Sequence, residues 1–153
     1  MRVHLLLSAA LLSLAAALVG CGSGKPSDPK TAVIAMFGAM EKNDKATLAH
    51  LLDLGELMKN LNEDYALQTD EPRHFTSPEQ ILEDLTDGGK TKERWFAYQR
   101  IVNEVEMTAD DLATVEVTFV DKEASKGYRT KFGLHVVNDR WKIYTFNAFP
   151  TGS

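Results

Sequence analysis

Hydrophobic and polar positions divide the chain into three regimes. Residues 5–19 carry no charge, and Ser8 and Ser13 are the only polar side chains among them. From Asp28 to Leu85 apolar residues return every three to four positions, the helical period; from Ala113 to Thr145 they alternate, the period of a strand with one buried face. Val33, Met36, Phe37 and Met40 give a first helix one apolar side. Asp28-Pro29 opens it, Asp as an acceptor for exposed amides and Pro at the first turn. Asn43-Asp44 interrupts the pattern, and Asp44 is placed to cap a second helix bearing Leu48, Leu51 and Leu52. A third helix is expected from Gly55 to Gln68, through Leu57, Met58, Leu61 and Tyr65, followed by a loop from Asp70 to Phe75. Ser77-Pro78-Glu79-Gln80 has the form of a capping box. It predicts a helix through Ile81, Leu82 and Leu85 that stops at Gly88-Gly89.

Beyond Lys92 the period changes. Phe96 to Met107 reads as a first strand, joined through Thr108-Ala109-Asp110-Asp111 to Ala113, Val115, Val117 and Phe119. A polar loop from Asp121 to Gly127 leads to Tyr128, Thr130, Phe132, Leu134 and Val136. Asn138-Asp139 is a tight-turn dipeptide before Trp141, Ile143 and Thr145. Helices first and a meander afterwards predict an α+β domain, with N-terminal helices packed on a curved antiparallel sheet of about four strands.

The uncharged run at the start follows the short basic segment Met1-Arg2-Val3-His4. A spanning helix needs about 20 apolar residues; this run is shorter, and it ends at Gly20-Cys21 instead of a basic stop-transfer cluster. It therefore reads as a cleaved leader. Leu18-Val19-Gly20-Cys21 resembles the lipobox of bacterial lipoprotein precursors. That resemblance implies a signal peptide over residues 1–20, lipidation of Cys21 with palmitate-type chains, and Cys21 as the mature N-terminus. Each buried acyl CH₂ contributes about 0.8 kcal/mol and a single chain holds only marginally, so the two or three chains implied here give stable anchoring. Gly22, in place of an Asp, implies the outer membrane in a Gram-negative host, at its periplasmic face. Cys21 is also the only cysteine, which leaves no intramolecular disulfide.

Cleavage leaves 133 of the 153 residues. Residues 21–27 form a lipidated end and a flexible polar tether, and residues 28–149 one domain large enough for a real core. Without Arg2 the mature chain has 16 basic and 22 acidic side chains. That balance lacks the basic patch of a nucleic-acid binder and makes the acyl chains, not electrostatics, the membrane contact.

The opening Asp28-Pro29 helix, the Lys42-Asn43-Asp44-Lys45 break and the closing Val137-Asn138-Asp139-Arg140-Trp141-Lys142-Ile143 resemble a family of uncharacterised bacterial lipoproteins. Its domain has the cystatin-like, cone-shaped fold shared with nuclear-transport-factor-2-like proteins. The resemblance spans Asp28 to Phe146; it departs between Gly55 and Leu85, where many relatives of the wider fold have a hairpin and this chain has a helical pattern. Some members of the wider fold are isomerases or dehydratases using an Asp with a His or Tyr.

Candidates for such chemistry are His50, His74, His135, Asp53, Asp84 and Tyr98, none of them in a catalytic motif. His50 is expected at a helix rim, His74 in a loop and His135 on a solvated strand face. No metal-ligand spacing occurs; Asp110-Asp111 reads as a turn, and Gly88-Gly89 as a helix stop instead of a phosphate cradle. No catalytic, cofactor or metal residue is assigned, and no cofactor is expected. Trp95, Phe96 and Tyr98 are expected in the core; exposed, they would mark a binding surface. The sequence thus predicts a non-enzymatic envelope lipoprotein whose domain binds an envelope protein or a small ligand. The alternatives are a small isomerase- or hydrolase-like enzyme using the cone pocket, and an inhibitor or immunity-type lipoprotein.

Overall fold

A computed structural model of the chain describes residues 28–67, 73–121, 123–124 and 126–147. The leader, Cys21 and the tether lie outside these residues. Five helices come first: α1 (Pro29–Glu41), α2 (Lys45–Leu51), α3 (Leu54–Ala66), α4 (Pro78–Asp84) and α5 (Lys90–Phe96). Four strands follow: β1 (Gln99–Ala109), β2 (Leu112–Asp121), β3 (Lys126–Val137) and β4 (Arg140–Phe146). They pair antiparallel in sequence order. The α+β class and the curved four-stranded sheet are as the periodicity predicts.

Short-range chemistry sets most boundaries. Asn43 ends α1 in the left-handed region (φ 57°), a conformation that Asn tolerates. Asp44 then caps α2, accepting from the Thr47 hydroxyl at 2.6 Å and the Thr47 amide at 2.9 Å. Those bonds hold its carboxyl below the usual carboxylate range. Asp53 caps α3 in the same way, at 3.4 Å from the Glu56 amide. The linker between these helices is stitched to the sheet: Leu52 bridges Ile143 and the Asp53 amide donates to the Ile143 carbonyl at 2.9 Å. Asn138 and Asp139, both left-handed (φ 51° and 60°), make the β3–β4 turn, as the twist of a two-residue hairpin requires.

Curvature comes from interrupted registers, between Val102 and Val105, between Met107 and Ala109, and between Gly133 and Leu134. An extra residue on one strand bends it locally. At the third site Tyr144 lies across Gly133, where a Cβ would come within 3.0 Å of the tyrosine ring. The core fills the space between α1 and the sheet. Val115, Val117 and Phe119 of β2 and Phe132 and Leu134 of β3 face Met36, Phe37 and Met40. Trp95 sits among them, 5.1–5.7 Å from the rings of Phe37, Phe119, Phe132 and Phe146.

A second knot joins α3, α4 and α5. Arg73 pairs with the buried Asp84 and donates to the Tyr65 hydroxyl at 3.1 Å. Its guanidinium lies over the Tyr65 and Phe75 rings. Asp84 also accepts from the Thr91 hydroxyl and amide. Burial pulls the Arg73 pKa down, but the Asp84 hydrogen bond and the neighbouring charges more than offset it, leaving it above the ordinary arginine value.

Several predicted boundaries move. The first strand starts at Gln99, not Phe96, because Lys90–Phe96 is a helix. Seven residues are too few for a 3.6-residue period to emerge, and the aromatic cluster mimics strand composition. α4 stops at Asp84, four residues before Gly88; the Thr86 amide then turns to the Glu83 carbonyl at 3.2 Å, and its hydroxyl donates to the Leu82 carbonyl at 2.8 Å. Gly89 consequently stands at the N-terminal end of α5 and not at the stop of α4. The Asp28 carboxylate makes no bond to a helix amide; it accepts from the Thr31 hydroxyl at 3.3 Å, and the Ala32 amide donates to the Asp28 backbone carbonyl instead. Ser77 does not cap either; Gln80 accepts from the Thr76 amide at 2.7 Å, half of the predicted box displaced by one residue. The Asp121–Gly127 loop is shorter than predicted, since Asp121 pairs with Lys126 and Val120 with Gly127. Gln68 and the start of the following loop lie outside the described residues.

Candidate functional site

The sheet and α5 converge on a cleft of about 210 Å³ lined by Arg94, Trp95, Tyr98, Phe119 and Tyr128. The last turn of α5 supplies Arg94 and Trp95, and the link into β1 supplies Tyr98. Phe119 and Tyr128 are register partners where β2 meets β3, and alternation turns both toward the core side. The Tyr98 and Tyr128 rings meet edge to face at 5.5 Å, and Trp95 lies 5.6 Å from Phe119. Arg100 holds the turn between them: its Nη1 donates to the Trp95 carbonyl at 3.1 Å and the Tyr98 carbonyl at 3.3 Å. Its guanidinium stacks 3.8 Å from the centre of the Phe96 ring. Burial lowers the Arg100 pKa from its ordinary value, with Glu41 acting in the opposite direction.

Trp95 gives this cleft its chemical character. The side chain is 1% exposed, and its Nε1 is buried without a hydrogen-bond partner. A buried donor left unpaired costs about 1–3 kcal/mol. The rings around the indole are hydrocarbon faces that offer no acceptor. Trp95 contributes to the cleft wall, while its Nε1 itself is closed off from solvent.

The other candidates are dispersed. His135 and Asp53 do meet, Nε2 to Oδ2 at 2.9 Å, and His135 stacks on Tyr144 at 4.7 Å. The pair lies on the sheet face opposite the core, beside buried Leu134, and lines neither the aromatic cleft nor the hollows beside Gln99 and Lys90. His135 lies on the non-core face as expected and is partly solvated, 29% exposed, with Asp53 covering part of it. His50 is exposed on the last turn of α2 and His74 exposed in its loop. Asp84 is taken up by Arg73 and Thr91. Of the six candidates, only Tyr98 reaches the cleft. Of the aromatic trio, Trp95 is core as expected, and the same side chain is also cleft wall; Phe96 is half-buried under Arg100.

Arg94, Phe119 and Tyr128 escaped the sequence reading as site residues. Tyr128 and Phe119 carried a partial signal, since both belong to the inward set of an alternating strand. Arg94 carried none. Among the described residues no three of His, Cys, Asp and Glu gather as they would around a metal ion, and no helix is long and apolar enough to cross a membrane.

Neither a protein-family model nor a curated protein matches this chain. Among solved structures it is similar to a de novo designed protein with a curved β-sheet, at 12% identity and a TM-score of 0.43, covering 78% of this chain and 96% of that one. It is also similar to an NTF-2-like protein of unknown function from Shewanella oneidensis MR-1, at 10% identity and a TM-score of 0.41, covering 76% of this chain and 91% of that one.

Proposed function

We propose that this chain is an envelope lipoprotein of the cystatin-like family it resembles, lipidated at Cys21, whose folded domain is a binding module. Its ligand site is the cleft under Tyr98 and Tyr128. The observation that carries the reading is an open hollow of about 210 Å³ walled by Trp95, Tyr98, Phe119 and Tyr128. A hollow with apolar walls and few polar groups is the usual form of a small-ligand site. The Asp53–His135 contact satisfies the distance that acid–base catalysis needs. The pair lies away from the aromatic cleft, and the cleft is what favours binding over catalysis in this reading. The anchor would hold the domain at the periplasmic face of a membrane, the outer one in a Gram-negative host.

Two experiments test the two halves. Cys21→Ser abolishes labelling by radioactive palmitate and accumulates unprocessed precursor; undiminished labelling refutes the anchor. For the site, thermal shifts of the purified chain are read against a panel of small acids, amines and sugars. Stabilisation by a panel member that is lost in Tyr128→Ala supports the cleft, whereas stabilisation that survives the substitution places the site elsewhere.

A further inference from the structure

Charge is not spread evenly along the chain. Residues 28–121 carry 20 acidic and nine basic side chains, whereas residues 126–147 carry one acidic and five basic. The acidic balance of the whole therefore conceals a basic hairpin, β3–β4. Alternation sorts its side chains between two faces. Thr130, Phe132, Leu134, Trp141 and Ile143 are buried on the core side. Arg129, Lys131, His135, Arg140 and Lys142 consequently share the opposite face, where His135 and Lys142 are register partners. Arg129, Lys131 and Arg140 are exposed, and Lys142 is half-buried.

Nearby carboxylates answer part of this charge. Glu116 is the register partner of Lys131 and lies 3.8 Å from Arg129, which stays 74% exposed; so open an ion pair holds little. Asp53 is engaged by His135 and by the Glu56 amide. Glu106 shares the face but stands on β1, two strands away. At physiological salt a charge is felt over about 8 Å. A surface approaching this face therefore meets the hairpin and not the acidic total of the molecule. Its counterpart is a broad array of anions. On the anchor reading above, on which this inference rests, a bilayer is always at hand: from Cys21 to Asp28 the chain extends to at most about 25 Å. Four basic side chains would hold a free domain weakly. On a tether the second contact is intramolecular, and a weak attraction is enough to choose a side.

We infer that the outer face of the β3–β4 hairpin rests on anionic phospholipid headgroups, with Arg129, Lys131, Arg140 and Lys142 toward the phosphates. The acyl chains hold the protein, and the basic face sets which side of the domain meets the bilayer. Phe119 and Tyr128 lie on the other side of the sheet, so the cleft they line is on the side away from lipid.

The chain purified in detergent is reconstituted in vesicles of phosphatidylcholine, alone or mixed with phosphatidylglycerol, and its lysines are acetylated and read by mass spectrometry. In the mixed vesicles Lys131 reacts about five-fold or more slowly than in the neutral ones. Lys45 and Lys90, exposed on helices, react equally in both. High salt restores the Lys131 reactivity, and so does Arg129→Glu combined with Arg140→Glu, whose far-UV circular dichroism verifies folding. Equal reactivity of Lys131 in the two vesicle types overturns the inference. So does protection that persists in high salt or in the double variant, the mark of a protein partner or a second copy. Flotation separates this result from the anchor. A chain that floats with neutral vesicles but shows no protection keeps the anchor and loses the face. One that floats only with mixed vesicles keeps the face and loses the anchor; one that floats with neither loses both.

Discussion

At the scale of single residues, three glycines show how much the absence of one carbon decides. Gly38 lies inside α1, and a methyl group added there meets nothing within 4 Å. A glycine in a helix is destabilising by roughly 0.5–1 kcal/mol relative to alanine, so Gly38→Ala raises the unfolding free energy by about that amount. At Gly89 the added carbon overlaps the Asp84 carbonyl at the end of α4. Gly89→Ala therefore forces the α4–α5 turn open and costs about 1–3 kcal/mol. Urea titrations of the two variants move in opposite directions; equal shifts would refute the packing described here. Gly133 is also crowded, but by side chains: an added carbon would come within 2.5 Å of the Thr145 methyl and 3.0 Å of the Tyr144 ring. Sequence treats all three alike. Asp44 was legible because its partner Thr47 lies three residues away. His135 was not, because its partner Asp53 lies 82 positions away and arrives only when the linker after α2 joins the edge of β4.

At the scale of elements, the knot of Arg73, Asp84, Thr91 and Tyr65 ties α3, α4 and α5 together with polar bonds beside the core they also share. Tyr65 is 1% exposed. Burial pushes its phenol up to about 12, with Arg73 pulling the other way and Asp84 adding to the rise. In the unfolded chain the phenol ionises near pH 10. Below pH 10 it is neutral in both states and its contribution is intact. Between pH 10 and 12 the unfolded state loses the proton first, so stability falls as pH rises. Relative to Tyr65→Phe, the wild-type chain loses about 2–3 kcal/mol across that window. Denaturant unfolding of both proteins at pH 9, 11 and 12 measures the difference, and parallel curves would sink the assignment. The long elements were the legible ones: α1 and α3 span enough turns for their apolar faces to repeat, and β2, β3 and β4 alternate cleanly. α5 was hidden by its length and by a glycine pair that reads equally well as an end or a beginning.

At the scale of the whole molecule, helices and sheet share one core, and Trp95 stands between them. Far-UV circular dichroism and tryptophan fluorescence should therefore report a single coincident urea transition, as an all-or-none domain requires. An earlier loss of helical signal would show that the α3–α5 knot unfolds by itself. The class and order of elements could be read before any coordinates, because they follow from periodicity. The cleft could not, because it is made where the end of a short helix, a link and a strand pair happen to meet. One consequence lies in the indole itself. Trp95 packs against rings of α1, β2, β3 and β4 and also lines the cleft, so the cleft wall and the core share one side chain. Any molecule that binds the folded state through that wall would raise the melting temperature by mass action, so heat resistance would report its occupancy.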